Sequence, residues 1–361
     1  MNHSSIIFSG PNALKCELVP YLIELGIDRV FMILDKILLE IHADTLYPLM
    51  DLLPKEHILL IEAGEEYKHL DQCQKVWRFF TESKVNRNDV VVNVGGGVLT
   101  DLGGFCASIY KRGISTINVP TTLMGMVDAA IGGKTAVDYL GVKNLLGAFH
   151  LPIAVCGDSS FLSTLTQKEL LSGFGEIVKH SLLVGGDMWQ RVIQFDPLYS
   201  DSEEWQYFVD LSMKYKEAVV KEDLYDNGLR KCLNLGHTIG HALESYFINS
   251  KSSFGTDRDL VSHGEAVIAG LIAELYMSNQ LLGFPSDILH QLIYLAKENY
   301  APLLFTCKEY DPLLKLMKQD KKNISKAVSY VGMRSLGEPV LLEVDDEELK
   351  NGLDFYREML C

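Results

Sequence analysis

Residues 89–97 read DVVVNVGGG. A short apolar run that stops at three consecutive glycines is a buried strand entering a tight turn. Upstream, residues 29–35 (RVFMILD) and 57–62 (HILLIE) are further apolar runs bounded by polar residues, each followed by a helical pattern. Downstream, Ser115–Val119 is another strand, ending at Pro120-Thr121-Thr122. Strands alternating with helices predict a parallel sheet covered on both faces. From about Gln167 the pattern becomes helical, with apolar residues at helical spacing in 167–183, 204–221, 232–246, 264–280 and 286–300. Two short strands, Ala327–Val331 and Pro339–Val344, close the chain. The expectation is an α/β domain with a parallel sheet over residues 1–164 and a mainly α-helical domain over 165–361.

A chain of 361 residues, 47% of them apolar, has material for two cores. The opening MNHSSIIFSG has neither a basic segment nor a long apolar one, and the apolar stretch from Ala266 to Ala273 is soon closed by Glu274. The expectation is therefore a cytoplasmic protein with no membrane span. Seven scattered cysteines without a C-x-x-C pair fit a reducing compartment. A formal net charge of −15 repels nucleic acid and anionic membranes, so any basic cluster is local.

Three glycines after a strand let a diphosphate approach backbone N–H groups at a helix start. The same triplet also suits a plain strand-to-helix turn, and a G-x-G-x-x-G reading fails at Thr100. Gly133-Lys134-Thr135 imitates the end of a P-loop, but Asp128 stands where its first glycine belongs, which removes an ATPase reading. In GHTIGHALE, His237 and His241 are four apart and share a helix face, and His263 follows in a separate HGE segment. Three histidines and a carboxylate make a nitrogen/oxygen site suited to zinc. Arg112, Lys134, Lys143, Lys179, Lys216 and Arg230 lie near Gly, Asn or His in otherwise uncharged stretches. Converging cations of this kind hold phosphate and carboxylate groups.

The segments GGGVLTDLGGF, YKRG, VPTTLMGMVDAAIGGKTAVD, VKNLLGAF, LLSGFGEIVKH, LRKCLNLGHTIGHA, HGEAV and DKKN, taken in order and spacing, resemble 3-dehydroquinate synthase from about Gly64 to Asn323. The resemblance implies that the α/β domain binds the nucleotide and the α-helical domain binds metal and substrate, in a cytoplasmic homodimer of the shikimate pathway that uses NAD and Zn2+, with Co2+ as a substitute. It implies conversion of 3-deoxy-D-arabino-heptulosonate 7-phosphate to 3-dehydroquinate and phosphate, through transient NAD-dependent oxidation, phosphate elimination, reduction and aldol cyclisation. By position, Glu176, His237 and His263 resemble the metal ligands, and His241 a neighbour that positions substrate. Gly96, Gly97, Val98 and Asp101 resemble the diphosphate and nicotinamide contacts; Asp35, Glu65 and Lys68 resemble the adenosine contacts; Thr121, Thr122 and Thr164 complete the NAD set. Lys134, Asn144 and one of Lys321 and Lys322 resemble a phosphate grip that Arg112 finishes from the partner subunit. Lys216, Arg230 and Asn234 resemble a carboxylate grip, and Asp128, Lys143 and Lys179 surround the reacting ring. The chain departs from the commonest pattern at VDAA, at YLGVKN and at Gly175, where alanine often precedes the ligand glutamate. Alternatives are a valiolone- or inosose-forming cyclase acting on a substrate without a carboxylate, a metal-dependent polyol dehydrogenase that releases NADH, and a silent NAD-binding scaffold.

Overall fold

The computed structural model describes residues 4–62, 64–249, 261–319 and 327–360. Its strands are β1 (Ile6–Ser9), β2 (Val30–Asp35), β3 (Ile58–Ile61), β4 (Val90–Gly95), β5 (Ser115–Pro120), β6 (Lys134–Tyr139), β7 (Val142–Phe149), β8 (Ala154–Gly157), β9 (Val328–Met333) and β10 (Pro339–Val344). The helices of ten residues or more are α1 (Leu70–Glu82), α2 (Gly97–Ile109), α3 (Gln167–Val184), α4 (Ser202–Glu222), α5 (His237–Asn249), α6 (His263–Leu282), α7 (Ser286–Asn299), α8 (Tyr310–Gln319) and α9 (Asp346–Leu360). The chain divides into two compact units: residues up to Thr166 with Ser200–Asp226, and Gln167–Tyr199 with the residues from Asn227 onward.

In the first unit a six-stranded parallel sheet runs in the order β1-β8-β5-β4-β2-β3. β4 is buried along its whole length, which is why its sequence shows no polar alternation. One layer of the core packs Phe31 and Ile33 of β2 and Val91 of β4 against Val76 and Phe80 of α1 and Leu102 and Phe105 of α2. From β2 the chain proceeds to β3 on one side, while β4 lies on the other, so the strand order reverses between β2 and β4. The carboxyl ends of strands at such a reversal leave the crevice in which α/β sheets bind ligands. Asp35 and Gly95 terminate those two strands.

Residues 200–226, which carry α4, fall in the first unit, so the chain leaves that unit after Thr166 and later returns to it. The amphipathic pattern of α4 announced a helix and left open which sheet or helix layer its apolar stripe would meet. Asp201 and Glu204 close a capping box at its start. Its buried face includes Trp205, Phe208, Val209 and Met213, and a Cβ at Gly157 of β8 would run into Met213. Gln206 Nε2 donates to Ser9 Oγ at 2.9 Å, and Gln206 Oε1 accepts from Ser159 N at 3.2 Å.

The second unit is helical, with the antiparallel hairpin β9–β10 added. The helix expected over 232–246 is broken: a 3-10 turn covers Leu229–Asn234, Gly236 takes φ +77°, and α5 begins at His237. No other residue suits position 236, because the backbone is left-handed and a Cβ would meet Leu271 at 2.7 Å. Helices approach closely where side chains are missing. A Cβ on Gly240 of α5 would meet the Ala266 carbonyl at 2.8 Å, and one on Gly175 of α3 would meet Gly264 Cα at 2.7 Å. Glycine at 175, where alanine is common, therefore permits the crossing of α3 and α6 seen here. No helix among the described residues is long and apolar enough to cross a membrane.

Candidate active site

The glycine turn of the first unit is packed on its inner side. A Cβ on Gly96 would lie 3.1 Å from Thr122 Cγ2, and one on Gly97 would lie 2.8 Å from Ala129 Cβ. Thr121 N donates to the Gly95 carbonyl at 3.0 Å, and Thr122 Oγ1 accepts from Gly125 N at 3.2 Å, tying the β4 and β5 turns together. Both turns thus present backbone at the start of α2, where Val98 occupies the first turn. This arrangement, at the reversal point with Asp35, fits a dinucleotide.

Beside it, Lys68 Nζ donates to Asp101 Oδ2 and to Asn144 Oδ1, both at 2.7 Å. Lys68, expected toward adenosine, is 5% exposed and joins residues expected at the nicotinamide and the phosphate. Burial raises the Asp101 pKa to about 6; Lys68 and Lys216 pull it down without overcoming burial, and Asp128 adds to the rise. Asp101, Lys134 and Asn144 line one pocket of about 330 Å³ with Thr135, Gly147 and Phe149. Lys134 Nζ pairs with Asp226 at 2.6 Å, and Lys216 Nζ donates to Asp128 through both Oδ1 and the main-chain oxygen at 2.6 Å. Lys143 and Glu65 form an exposed pair at 3.2 Å, and Thr164 Oγ1 shares a 2.6 Å hydrogen bond with His42 Nε2. Asp226 and His42 were not picked out from sequence. An aspartate four residues before the buried Arg230 was the available sign for the first, and nothing marked the second.

Arg112 is exposed beyond the carboxyl end of α2, and the length of that helix, about 20 Å at 1.5 Å per residue, separates it from Gly97. Lys111, Arg112 and Gly113 take φ values of 50°, 66° and 110° in succession. Two adjacent non-glycine residues in the left-handed region are a costly turn, of the kind kept for a functional side chain. Lys111 Nζ anchors it to the Val85 carbonyl at 2.7 Å.

In the second unit every residue of α3 from Gly173 to Leu183 is buried, Glu176 and Lys179 among them. Buried charges need partners. Glu176 has an ion pair with Lys179, and its Oε1 lies 3.4 Å from His237 Nε2 and 3.2 Å from His263 Nε2. The other ring nitrogens are held: His237 Nδ1 by the Leu235 carbonyl at 3.0 Å, His263 Nδ1 by Glu244 Oε2 at 3.1 Å. Ligand atoms around a tetrahedral zinc with bonds of 2.0–2.2 Å stand roughly 3.3–3.6 Å apart. The observed separations match that spacing, and the Nδ1 contacts fix the tautomers that leave Nε2 as ligand. His241 belongs to the same cluster, with one ring nitrogen from each of the three histidines within 4.8 Å of the others.

The electrostatics agree. Burial works against a charged His263, but Glu176 and Glu244 outweigh it and raise its pKa to about 10, so two carboxylates retain a proton where a cation fits. Burial opposes a charged Glu176 too, yet Lys179, His237 and His263 hold it well below the carboxylate range. Burial, with Lys179 beside it, drives His237 well below its ordinary value, toward the neutral ligand form. Glu244 went unremarked in sequence, although HALE places it seven residues after His237, on the same helix face. Arg230 is 3% exposed in the 3-10 turn that also carries Asn234. Lys321 and Lys322 lie outside the described residues.

Models of the N-terminal and C-terminal parts of 3-dehydroquinate synthase match residues 58–172 and 173–323. A 3-dehydroquinate synthase of Parabacteroides distasonis is 40% identical over 352 residues, 96% of each chain. The chain belongs to the 3-dehydroquinate synthase family. Two solved structures share its fold. A 2-deoxy-scyllo-inosose synthase complexed with carbaglucose-6-phosphate, NAD+ and Co2+ superposes with a TM-score of 0.79 at 24% identity, covering 98% of this chain and 96% of its own. A 2-epi-5-epi-valiolone synthase from Streptomyces hygroscopicus with NAD+ and Zn2+ bound gives 0.79 at 22% identity, over 98% of this chain and 97% of its own. Family and fold are those expected from the sequence.

Proposed function

We propose that this chain is a 3-dehydroquinate synthase, a lyase that converts 3-deoxy-D-arabino-heptulosonate 7-phosphate to 3-dehydroquinate and phosphate, working as a cytoplasmic homodimer with NAD and zinc. The observation that carries this reading is the near-full-length identity to a 3-dehydroquinate synthase. The residue geometry supports the individual roles. Gly96, Gly97, Val98 and Asp101, with Asp35, Glu65, Thr121, Thr122 and Thr164, hold the dinucleotide, and Lys68 holds Asp101 in place. Glu176, His237 and His263 hold the metal, with cobalt as a substitute. When bound, NAD supplies a reversible hydride acceptor and the metal an electrophile beside a substrate oxygen.

The chain's own side chains do the rest. Lys134 and Asn144, in one pocket, grip the phosphate with a lysine from 321–322 and Arg112 of a second copy. Arg230, held rigidly by burial, offers two parallel N–H groups to a carboxylate, and Asn234 and Lys216 add donors. Asp128, Lys143, Lys179 and His241 orient the hydroxyls of the reacting carbon skeleton.

The test is substrate choice, with phosphate and NADH read in parallel. A substrate without a carboxylate forfeits the charge-assisted hydrogen bonds to the guanidinium, at about 1.5–3 kcal/mol each. The heptulosonate phosphate is expected to be used at least about a hundredfold more efficiently than sedoheptulose 7-phosphate, a gap of roughly 2.7 kcal/mol. Arg230→Ala is expected to narrow that gap by harming the acidic substrate. Equal or better use of sedoheptulose 7-phosphate would point to a valiolone-type cyclase, and accumulating NADH to a dehydrogenase.

A further inference from the structure

Helix α5 starts without a cap of its own. His237 is its first helical residue, so the capping position is Gly236, which has no side chain to accept the N–H of Ile239. The position cannot gain one, given its left-handed φ of +77° and the Leu271 atoms 2.7 Å from where a Cβ would stand. The acceptor comes instead from α6. Glu274, fully buried, accepts from Gly236 N through Oε2 at 2.7 Å and from Ile239 N through Oε1 at 2.9 Å. These are the two N–H groups that a capping box satisfies with two side chains; here one carboxylate serves both. Its negative charge also meets the positive end of the helix. A carboxylate out of reach of water is expensive unless it is hydrogen-bonded in this way.

The placement links the cap to the metal cluster. Glu274 follows His263 by eleven residues on α6, within about 20° of the same helix face at 100° per residue. One helix thus carries His263 and the group that fixes the start of α5, whose first residue is His237. Close packing of Gly240 against Ala266 gives the two helices no compressible side chain through which to absorb a shift at that start. We infer that Glu274 is a positioning residue that caps α5 from outside and thereby sets His237 in register with Glu176 and His263. The inference rests on the reading of those three residues as metal ligands.

The experiment uses the full-length protein loaded with Co2+, whose visible absorption reports ligand geometry. Glu274→Gln keeps the shape but turns an amide N–H2 toward one of the two N–H donors. Its Co2+ affinity, measured by chelator competition on protein shown to be folded by circular dichroism, is expected to fall about 10–100-fold, with altered visible bands. Unchanged affinity and bands in a folded Glu274→Gln protein overturn the inference. The wild type and His263→Ala serve as controls: if the wild type shows no Co2+ bands, or His263→Ala keeps them, the metal reading itself fails. If Glu274→Gln does not fold, the wild type still decides. Binding and capping are linked, so Co2+ is expected to slow amide exchange at residues 236 and 239 more than in the middle of α6. Equal exchange with and without Co2+ overturns the inference.

Discussion

Replacing Asp101 by asparagine is expected to make the protein more stable and less active. Asp101 is 17% exposed and pairs with Lys68 at 2.7 Å, yet burial still lifts its pKa from 3.8 to about 6. An acid whose pKa is raised on folding costs nothing below the unfolded value. Stability is then lost as pH climbs from 3.8 to 6, and the loss is constant above that. A shift of roughly 2 units corresponds to about 3 kcal/mol at pH 8, an upper figure given the residual exposure, and to about half of that at pH 5. Asparagine carries no charge at either pH and can still accept from Lys68. Urea denaturation of both proteins is therefore expected to show Asp101→Asn the more stable by about 1–3 kcal/mol at pH 8, with the gain roughly halved at pH 5. The same variant is expected to bind NAD at least about tenfold more weakly by calorimetry, the loss of one hydrogen bond to a charged group. No gain at pH 8, or an equal gain at pH 5, would refute the reasoning, because the buried charge would then not be the source of the cost.

Two further outcomes bear on the metal and the assembly. Prolonged chelation is expected to abolish turnover, with zinc or cobalt restoring it, while His263→Ala stays inactive at modest metal concentration; full activity of a rigorously metal-free preparation would exclude the metal. Mixing Arg112→Ala with Lys134→Ala subunits, each nearly inactive alone, is expected to regain part of the activity, since one mixed dimer contains one intact phosphate grip. Heterodimers verified by mass that remain inactive would assign Arg112 to its own subunit's pocket.

The parallel strands were legible because burial on both faces leaves an unmistakable apolar run: RVFMILD gave Val30–Asp35, and DVVVNVG gave Val90–Gly95. β1 and β8 were not read as strands, although β8 is fully buried. The β6–β7 hairpin escaped notice because β7 is largely exposed and carries Lys143 and Asn144 in place of an apolar pattern. The histidines of the metal cluster announced themselves by spacing, whereas Glu176 needed the family resemblance, since a lone acidic residue in a helix usually faces water. Glu274 was visible as the charge that ends an apolar stretch. Its meaning was not, because the groups that it satisfies are backbone N–H groups 35 and 38 positions away. The late return of α4 to the first unit was hidden for a similar reason: periodicity specifies an apolar stripe without naming what covers it.

That return sets a timetable for biosynthesis. When Thr166 leaves the ribosome, the sheet is complete in strands, but the helix that covers Gly157 and holds Ser9 and Ser159 through Gln206 has not been made. Sixty more residues must be added before Asp226 closes the unit, roughly 3–12 s at 5–20 residues per second. During that interval the nascent chain displays bare sheet surface at β1 and β8, a natural target for a chaperone that binds apolar segments. For the same reason, a fragment ending at residue 166 would be a poor vehicle for the first unit, and expressing that unit alone calls for a shortened chain in which residues 200–226 are joined back on.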